Sequence, residues 1–426
     1  MYPLLLRIHR SHTTFVVLLL AVFAVASVQY AVKVSKPTKD GNTKSAIARW
    51  APQVDEMDDG ENIHAKYNFP NPPVMTHILW PVFKLVTWNP VAGALVWFFL
   101  KVGMALLCFR WAFRMVESPD RPFPAWAKTL TAAAALKPIL GDLSHGNINI
   151  FILFLVMASL YAFTRGKDTL CGLLLALAIA CKVTPALFLV YFLWKGSWRV
   201  LIAAGVGLVL FFFVVPSLAF AIQEEGLVAG WIENWEALRS WYQGMVKPYL
   251  VDGIVKAPER ENQSLPGLLT RLLEHVPSFS TWVDNVQVPL LYSNVADLEP
   301  GVVKRIVQAF QVAFVVLMVF TCRARVNAGE RTGWRVAAEF SLILVGMLLF
   351  SERTWKHHCV TLLLPFAVLS YVVAGQVPGL GRRLALVGLV GATLLMLSTS
   401  SGVFGNEMPR TEEVRAAVRA GVEGAG

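Results

Sequence analysis

Apolar runs of about 20 residues recur along nearly the whole chain, and they constrain its fold more than any other feature. Only 15% of the 426 residues are charged, whereas a soluble domain averages about 25%. Backbone groups inside a bilayer must pair within the chain, so such runs form helices. We therefore predict an all-α, polytopic membrane helix bundle with about 10–11 transmembrane helices. The predicted segments are 13–32, 89–113, 125–142, 146–164, 168–182, 184–195, 198–222, 303–322, 334–351, 357–376 and 382–400.

Two of these segments, 168–182 and 184–195, are too short to cross a bilayer comfortably. They meet at the sequence Lys182-Val183-Thr184-Pro185. Because proline disfavours helical backbone in the residue before it, we predict a broken helix pair at this point. A helix end beside a cation favours the binding of an anion.

Lysines and arginines collect in the short loops between the apolar segments. Cytoplasmic loops favour these residues, so the formal net charge of +10 does not indicate nucleic-acid binding, for which no motif is present. With the N-terminus inside, the long loops 33–88 and 223–302 lie outside. The first apolar run extends to Val32, which favours a retained helix over a cleaved signal peptide. We interpret the chain as one membrane domain, 1–426, with a peripheral tail at 403–426.

In this topology the outer side carries most of the chemically unusual residues. Ionisable groups at membrane depth are costly and usually functional. Cations beside the membrane suit a lipid phosphate, and a nearby carboxylate suits a general base. The candidate groups are Asp40, the acidic run 55–59, Tyr67, Asp142, His145, Asn147, Asn149, Lys182, Asn262, Gln263, His357 and His358.

Motifs for soluble nucleotides and for metals are missing from the sequence. It contains neither a GxGxxG nor a GxxxxGK[ST] loop, so we expect a lipid-linked phosphate donor instead of a sugar nucleotide. The five cysteines lie in or beside apolar runs without CxxC spacing, which favours a packing role. His357 and His358 have no HExxH-like partners nearby. We predict no metal site, although the participation of a divalent metal is left open.

Short patterns follow one another in a fixed order along the chain. They are Asp40 with 46–49 and Gly60, then 68–73, 146–149, 182–185, 262–265 and 355–358. Together, over roughly residues 10–400, they resemble glycosyltransferase family 87 (GT87) of the GT-C class, the polyprenyl-phosphate-mannose-dependent mannosyltransferase group. One departure is Asn147, which stands where the family usually has glutamine.

The resemblance implies an inverting hexosyltransferase that takes a sugar, expected to be mannose, from a polyprenyl-phosphate carrier. Asp40 would be the general base that deprotonates the acceptor hydroxyl, with Asp58 or Asp59 as alternatives. The donor phosphate would be bound by Lys182, His357 and His358. Adjacency does not tell which histidine faces the site, because helix neighbours diverge by about 100°. The sugar or acceptor would contact Asn147, Asn149, Asn262, Gln263 and Tyr67.

The expected partners are the polyprenyl-phosphate-linked donor, a lipid or glycan acceptor and membrane lipids, with no cofactor. The expected location is the bacterial cytoplasmic membrane, with the active site on its outer side. Two other functions stay open. A transporter or flippase for a lipid-linked or anionic substrate would share the broken helix and the polar groups. A ligase that moves whole glycans between lipids would use similar cations.

Overall fold

The structure is a computed structural model, and it describes residues 12–36, 45–118, 120–223, 226–283, 286–324, 331–376 and 381–398. Two features of the sequence analysis fall outside these ranges. They are the candidate base Asp40 and the tail 403–426. The other candidate site residues, from Tyr67 to His358, lie within the described ranges.

Helices dominate the described chain, which confirms the all-α class. The first eleven are α1 (His12–Ser35), α2 (Ala46–Asp58), α3 (Ile63–Tyr67), α4 (Pro73–Trp88), α5 (Pro90–Val116), α6 (Ala125–His145), α7 (Asn149–Thr164), α8 (Asp168–Cys181), α9 (Leu187–Trp194), α10 (Trp198–Val209) and α11 (Val215–Gln223). Then follow α12 (Leu227–Trp241), α13 (Lys247–Leu250), α14 (Leu265–Leu273), α15 (Pro300–Thr321), α16 (Trp334–Leu349), α17 (Leu363–Tyr371) and α18 (Gly381–Ser398). Short 3₁₀ turns cover Thr184–Ala186 and Lys356–Leu362, and π-helical turns cover Leu210–Val214, Tyr242–Val246 and Val372–Gln376.

The second long loop, 223–302, contains an antiparallel hairpin that the apolar pattern did not predict. Strand β1 (Pro277–Val283) pairs with β2 (Val286–Tyr292). The pairing runs from Pro277 opposite Tyr292 to Val283 opposite Val286. This hairpin is a local addition to a helical fold, and its Ser278 carbonyl accepts a hydrogen bond from the Arg260 amide.

Within the described ranges, five helices are long and apolar enough to cross a membrane. They are Phe15–Ser35, Pro90–Val116, Trp198–Gln223, Pro300–Thr321 and Lys356–Gly375, and shorter apolar helices cover Asn149–Thr164, Asp168–Cys181 and Thr184–Trp194. These helices support the prediction of a multi-pass membrane protein. The count of about 10–11 spans stays a prediction.

The core forms around α5 and α7, which pack against each other. Helix α7 also packs against α8, and it is apolar on nearly all sides, as expected for a helix surrounded by others. The predicted helix break is confirmed: α8 ends at Cys181, Lys182 is extended, and a 3₁₀ turn begins at Thr184. The break therefore places Lys182 beside the N-terminus of α7.

Candidate functional site

A sharp corner between α6 and α7 gives the candidate site its shape. Gly146 follows α6 with φ of +64°, a conformation that glycine adopts without strain. A Cβ at this position would lie 2.2 Å from Ser45 Oγ and 2.8 Å from the Tyr30 hydroxyl. Glycine is therefore required both by the backbone and by the space, and the reversal it allows brings Asn147 and Asn149 to one side of the bundle.

Beside this corner lies a small hollow that is partly open to its surroundings. The structure brings Lys182, Asn149 and His358 together in its wall, and Lys182 Nζ donates to Asn149 Oδ1 at 2.7 Å. Four hydroxyl side chains complete the polar lining: Thr184, Ser351, Thr354 and Thr361. Among the described residues that line the hollow, none carries a carboxylate. A positive charge surrounded by hydroxyls and amides suits an oxyanion.

The two adjacent histidines point in different directions. His358 lines the hollow, and its Nδ1 lies 3.2 Å from the Trp355 amide nitrogen and 3.0 Å from the Arg353 carbonyl oxygen. His357 is buried and its Nε2 lies 3.2 Å from Asn147 Nδ2. Of the pair, His358 is thus the one placed to reach a ligand in the hollow. Within the described ranges, no three His, Cys, Asp or Glu side chains come together as metal ligands.

Asn262 and Gln263 lie in the second outer loop, against the rim of the hollow. Asn262 is fully buried, and its amide makes four hydrogen bonds, donating to the carbonyls of Ala257 and Glu352 and accepting from the amides of Ser264 and Thr354. These bonds use its whole capacity, so Asn262 fixes the loop that carries Thr354. The exposed Gln263 side chain donates to the Arg260 carbonyl.

Tyr67 lies at the end of α3, in the first outer loop and outside the hollow. Its hydroxyl donates to both carboxylate oxygens of Glu56 at 2.7 Å, and Lys66 Nζ lies 2.8 Å from the same group. The hydrogen bonds from Lys66 and Tyr67 lower the pKa of Glu56. In the structure, Tyr67 is therefore a partner of Glu56.

The alternative base Asp58 is held by three donors. Lys84 Nζ lies 2.5 Å from one carboxylate oxygen, Trp80 Nε1 donates at 3.0 Å and Gln223 Nε2 at 2.8 Å. These contacts join α2 to α4 and α11, which gives Asp58 a structural role. Asp59 is exposed to solvent.

A buried ion pair behind the hollow joins the candidate group Asp142 to Lys101, a residue that the sequence analysis did not single out. Lys101 in α5 and Asp142 in α6 are both completely buried, with Nζ 3.3 Å from Oδ2. Asp142 Oδ1 accepts from Asn149 Nδ2 at 2.9 Å. The signal was present in the sequence, because a lysine in the middle of a long apolar run is rare and calls for a partner.

Fold and hollow together define a multi-pass membrane protein with a cation-bearing polar site at a helix break. The family profile described as "Glycosyltransferase family 87" matches residues 69–351, more than half of the chain. The chain belongs to glycosyltransferase family 87, which confirms the resemblance seen in its motifs.

Two curated relatives share a printed description, polyprenol-phosphate-mannose-dependent alpha-(1-2)-phosphatidylinositol mannoside mannosyltransferase. The protein from Mycobacterium tuberculosis is 28% identical over 289 residues, covering 66% of this chain and 55% of the relative. The protein from Mycolicibacterium smegmatis is 29% identical over 266 residues, covering 59% and 49%. The chain spans about half the length of these curated relatives.

Solved structures similar to the chain include ArnT from Cupriavidus metallidurans in the apo state. The TM-score is 0.43 at 16% identity, over 96% of this chain and 69% of ArnT. ArnT bound to undecaprenyl phosphate gives a TM-score of 0.42 at 15% identity, over 97% and 70%.

Proposed function

We propose that the chain is a membrane hexosyltransferase that moves mannose from a polyprenyl-phosphate carrier to an acceptor hydroxyl, at the outer face of the membrane. The observation that carries the proposal is the hollow in which Lys182, Asn149 and His358 converge without a lining carboxylate. Membership of family 87 and the printed names of the two relatives support the same reaction class.

The hollow fits the phosphate of the carrier. Lys182 gives one hydrogen to Asn149 Oδ1, so its other two hydrogens are available for phosphate oxygens. In the tautomer in which the Trp355 amide bonds to Nδ1, His358 carries its proton on Nε2 and adds a further donor. In the other tautomer, Nδ1 donates to the Arg353 carbonyl and Nε2 is an acceptor. Fixed donors in a poorly solvated site stabilise the charge that grows on the phosphate as the sugar leaves.

Asp40 serves as the general base in this proposal. It removes the proton of the acceptor hydroxyl, whose oxygen bonds to the anomeric carbon. As this bond forms, the bond from that carbon to the phosphate oxygen breaks, the phosphate keeps the electron pair, and the sugar inverts. Attack from the face opposite the phosphate requires the base and the phosphate site to lie on opposite sides of the sugar.

The described residues on both sides of Asp40 support this role. Lys33 Nζ donates to the Ser144 carbonyl at 2.5 Å, and Ser45 packs against Gly146. Asp40 is five residues before Ser45 along the chain. Both flanks of the segment thus lie at the corner that adjoins the hollow. Asp59 is the alternative base, because Asp58 is occupied by its three donors.

The experiment uses purified protein in lipid nanodiscs with a synthetic polyprenyl-phosphate mannose that carries a radiolabelled sugar. We expect wild-type protein to transfer the label to an added glycolipid acceptor. Lys182→Met should weaken donor use by about 100-fold, the size expected for losing a charged phosphate contact. Lys167→Met, at an exposed lysine before α8, is the matched control and should leave transfer unchanged.

Asp40→Asn should abolish turnover while donor binding and folding persist. Near-normal turnover in Asp40→Asn would move the base to Asp58 or Asp59, of which Asp59 has the freer carboxylate. Wild-type protein that transfers no sugar from any polyprenyl-phosphate donor, yet moves the lipid across vesicles, would refute the transferase and establish a flippase. Transfer of whole glycans alone would establish a ligase.

A further inference from the structure

The buried ion pair behind the hollow is fully hydrogen-bonded on its lysine side. Lys101 Nζ contacts Asp142 Oδ2 at 3.3 Å, the Asp142 carbonyl at 2.8 Å and the Asn147 carbonyl at 3.0 Å. An ammonium group has three hydrogens, and all three have acceptors here. Lys101 is thus fully engaged inside the protein and holds Asp142 in a fixed place.

Asp142 in turn reaches the start of α7. Its Oδ1 accepts from Asn149 Nδ2 at 2.9 Å, and its Oδ2 accepts from the Ile150 amide at 3.3 Å. A carboxylate near the N-terminus of a helix is favoured by the unpaired backbone amides there. Both oxygens of Asp142 are therefore occupied, which leaves the group unsuited to act as a base.

The orientation of the Asn149 amide follows from its two neighbours. Asp142 as a carboxylate can only accept hydrogen bonds, and the Lys182 ammonium can only donate them. Asn149 must therefore turn its NH₂ toward Asp142 and its oxygen toward Lys182, as the distances of 2.9 Å and 2.7 Å show. The buried carboxylate fixes the orientation of the Asn149 amide, and the amide oxygen in turn fixes the position of the Lys182 ammonium group in the hollow.

We infer that Asp142 is a positioning residue for phosphate binding, which acts through Asn149 to orient Lys182. The inference rests on the proposed function and reassigns Asn149, predicted from sequence as a sugar or acceptor contact, to the phosphate side of the site. Without the carboxylate, the amide is free to present its NH₂ to the ammonium. Donor would then face donor, and Lys182 would leave the position in which its remaining hydrogens point into the hollow.

The test exchanges the two groups in the double variant Asp142→Asn/Asn149→Asp. The exchange conserves the atoms of the network and its net charge, but the carboxylate now contacts Lys182 directly and neutralises it. We expect the Kd for undecaprenyl phosphate, a lipid phosphate without sugar, to rise about tenfold or more, as for a lost charge-assisted contact. The measurement is intrinsic tryptophan fluorescence in nanodiscs, and Kd is measured separately for polyprenyl-phosphate mannose.

A second variant keeps the inference testable if the exchange prevents folding. Asn149→Leu removes the acceptor for Lys182 and keeps Asp142 bonded to Lys101 and Ile150. We expect its Kd for undecaprenyl phosphate to rise about threefold to tenfold. The control is Glu339→Gln, which weakens a buried pair with Lys195 at the opposite end of α9, where Nζ lies 2.8 Å from Oε2; its Kd should match wild type.

The two lipids separate the possible outcomes. Equal weakening for the sugar-free and the mannose-bearing lipid supports the inference, because the phosphate is common to both. Weakening for the mannose-bearing lipid alone would overturn it and return Asn149 to sugar contact. Wild-type Kd values in both variants would also overturn it. Wild-type protein that binds neither lipid would refute the proposed function itself.

Discussion

Replacing the buried Lys101 tests how strongly the core depends on its ion pair. Lys101→Met retains most of the side-chain volume but leaves the Asp142 carboxylate, which is 0% exposed, without a counter-ion. Removing one partner of a buried pair costs about 3–5 kcal/mol. The carbonyls of Asp142 and Asn147 also lose a donor, at about 1 kcal/mol or more each. We therefore expect a loss of about 5–7 kcal/mol in the free energy of unfolding.

The assay is equilibrium unfolding in mixed micelles of increasing dodecyl sulfate content, followed by circular dichroism. Lys84→Met is the matched control, because Lys84 pairs with Asp55 and Asp58 but is 36% exposed; it should cost about 1 kcal/mol or less. Adding Asp142→Leu to Lys101→Met should recover part of the loss, since the unpaired charge is gone. Equal costs at Lys101 and Lys84, or no recovery in the double variant, would refute the reasoning.

Two further predictions concern the outer side of the bundle. Gly146→Ala should destabilise the protein by about 2–5 kcal/mol, from the left-handed backbone and from overpacking against Ser45 and Tyr30; in the same micelle assay, a cost below about 1 kcal/mol would contradict this. Burial lowers the pKa of His64 from 6.5 to about 4. Below pH 6.5 the unfolded chain therefore binds a proton at His64 that the folded chain does not bind. This lowers the free energy of unfolding by up to about 3 kcal/mol as the pH falls toward 4. His64→Phe should flatten the decline of melting temperature between pH 6.5 and 4, and an unchanged slope would show that His64 does not cause it.

The helices of this fold were predictable because the bilayer allows so few alternatives. A long apolar run must form a helix, so the predicted run 89–113 appears as α5 (Pro90–Val116). The break at Lys182 was predictable for an equally local reason, the proline at position 185. The hairpin at Pro277–Tyr292 was not, since strand pairing depends on contacts that a short alternating stretch does not reveal.

The roles of single polar residues were harder to predict. Asn262 matches a family motif, yet two of its four hydrogen bonds depend on where Glu352 and Thr354, some ninety residues away, place their backbone groups. For Lys101, the sequence indicated a structural role but not the residue with which it pairs. Its position within an apolar run signalled a buried partner, but only the packing of α5 against α6 identifies that partner as Asp142.

The candidate site lies where the helices are interrupted, and the bilayer supplies the physical reason. Regular helices use their backbone groups internally, so irregular backbone at membrane depth is tolerated only where protein or a polar cleft satisfies it. The corner at Gly146 meets this condition, because Trp97 Nε1 donates to the Gly146 carbonyl at 3.2 Å and Lys101 to the Asn147 carbonyl. At the break, the Lys182 amide still donates to the Ala178 carbonyl and the Ala186 amide to the Val183 carbonyl. The same two interruptions place the side chains of Asn149 and Lys182 in the wall of one hollow. Under the proposed function, a lipid phosphate would therefore meet the charge of Lys182 at a point where the regular helix is interrupted.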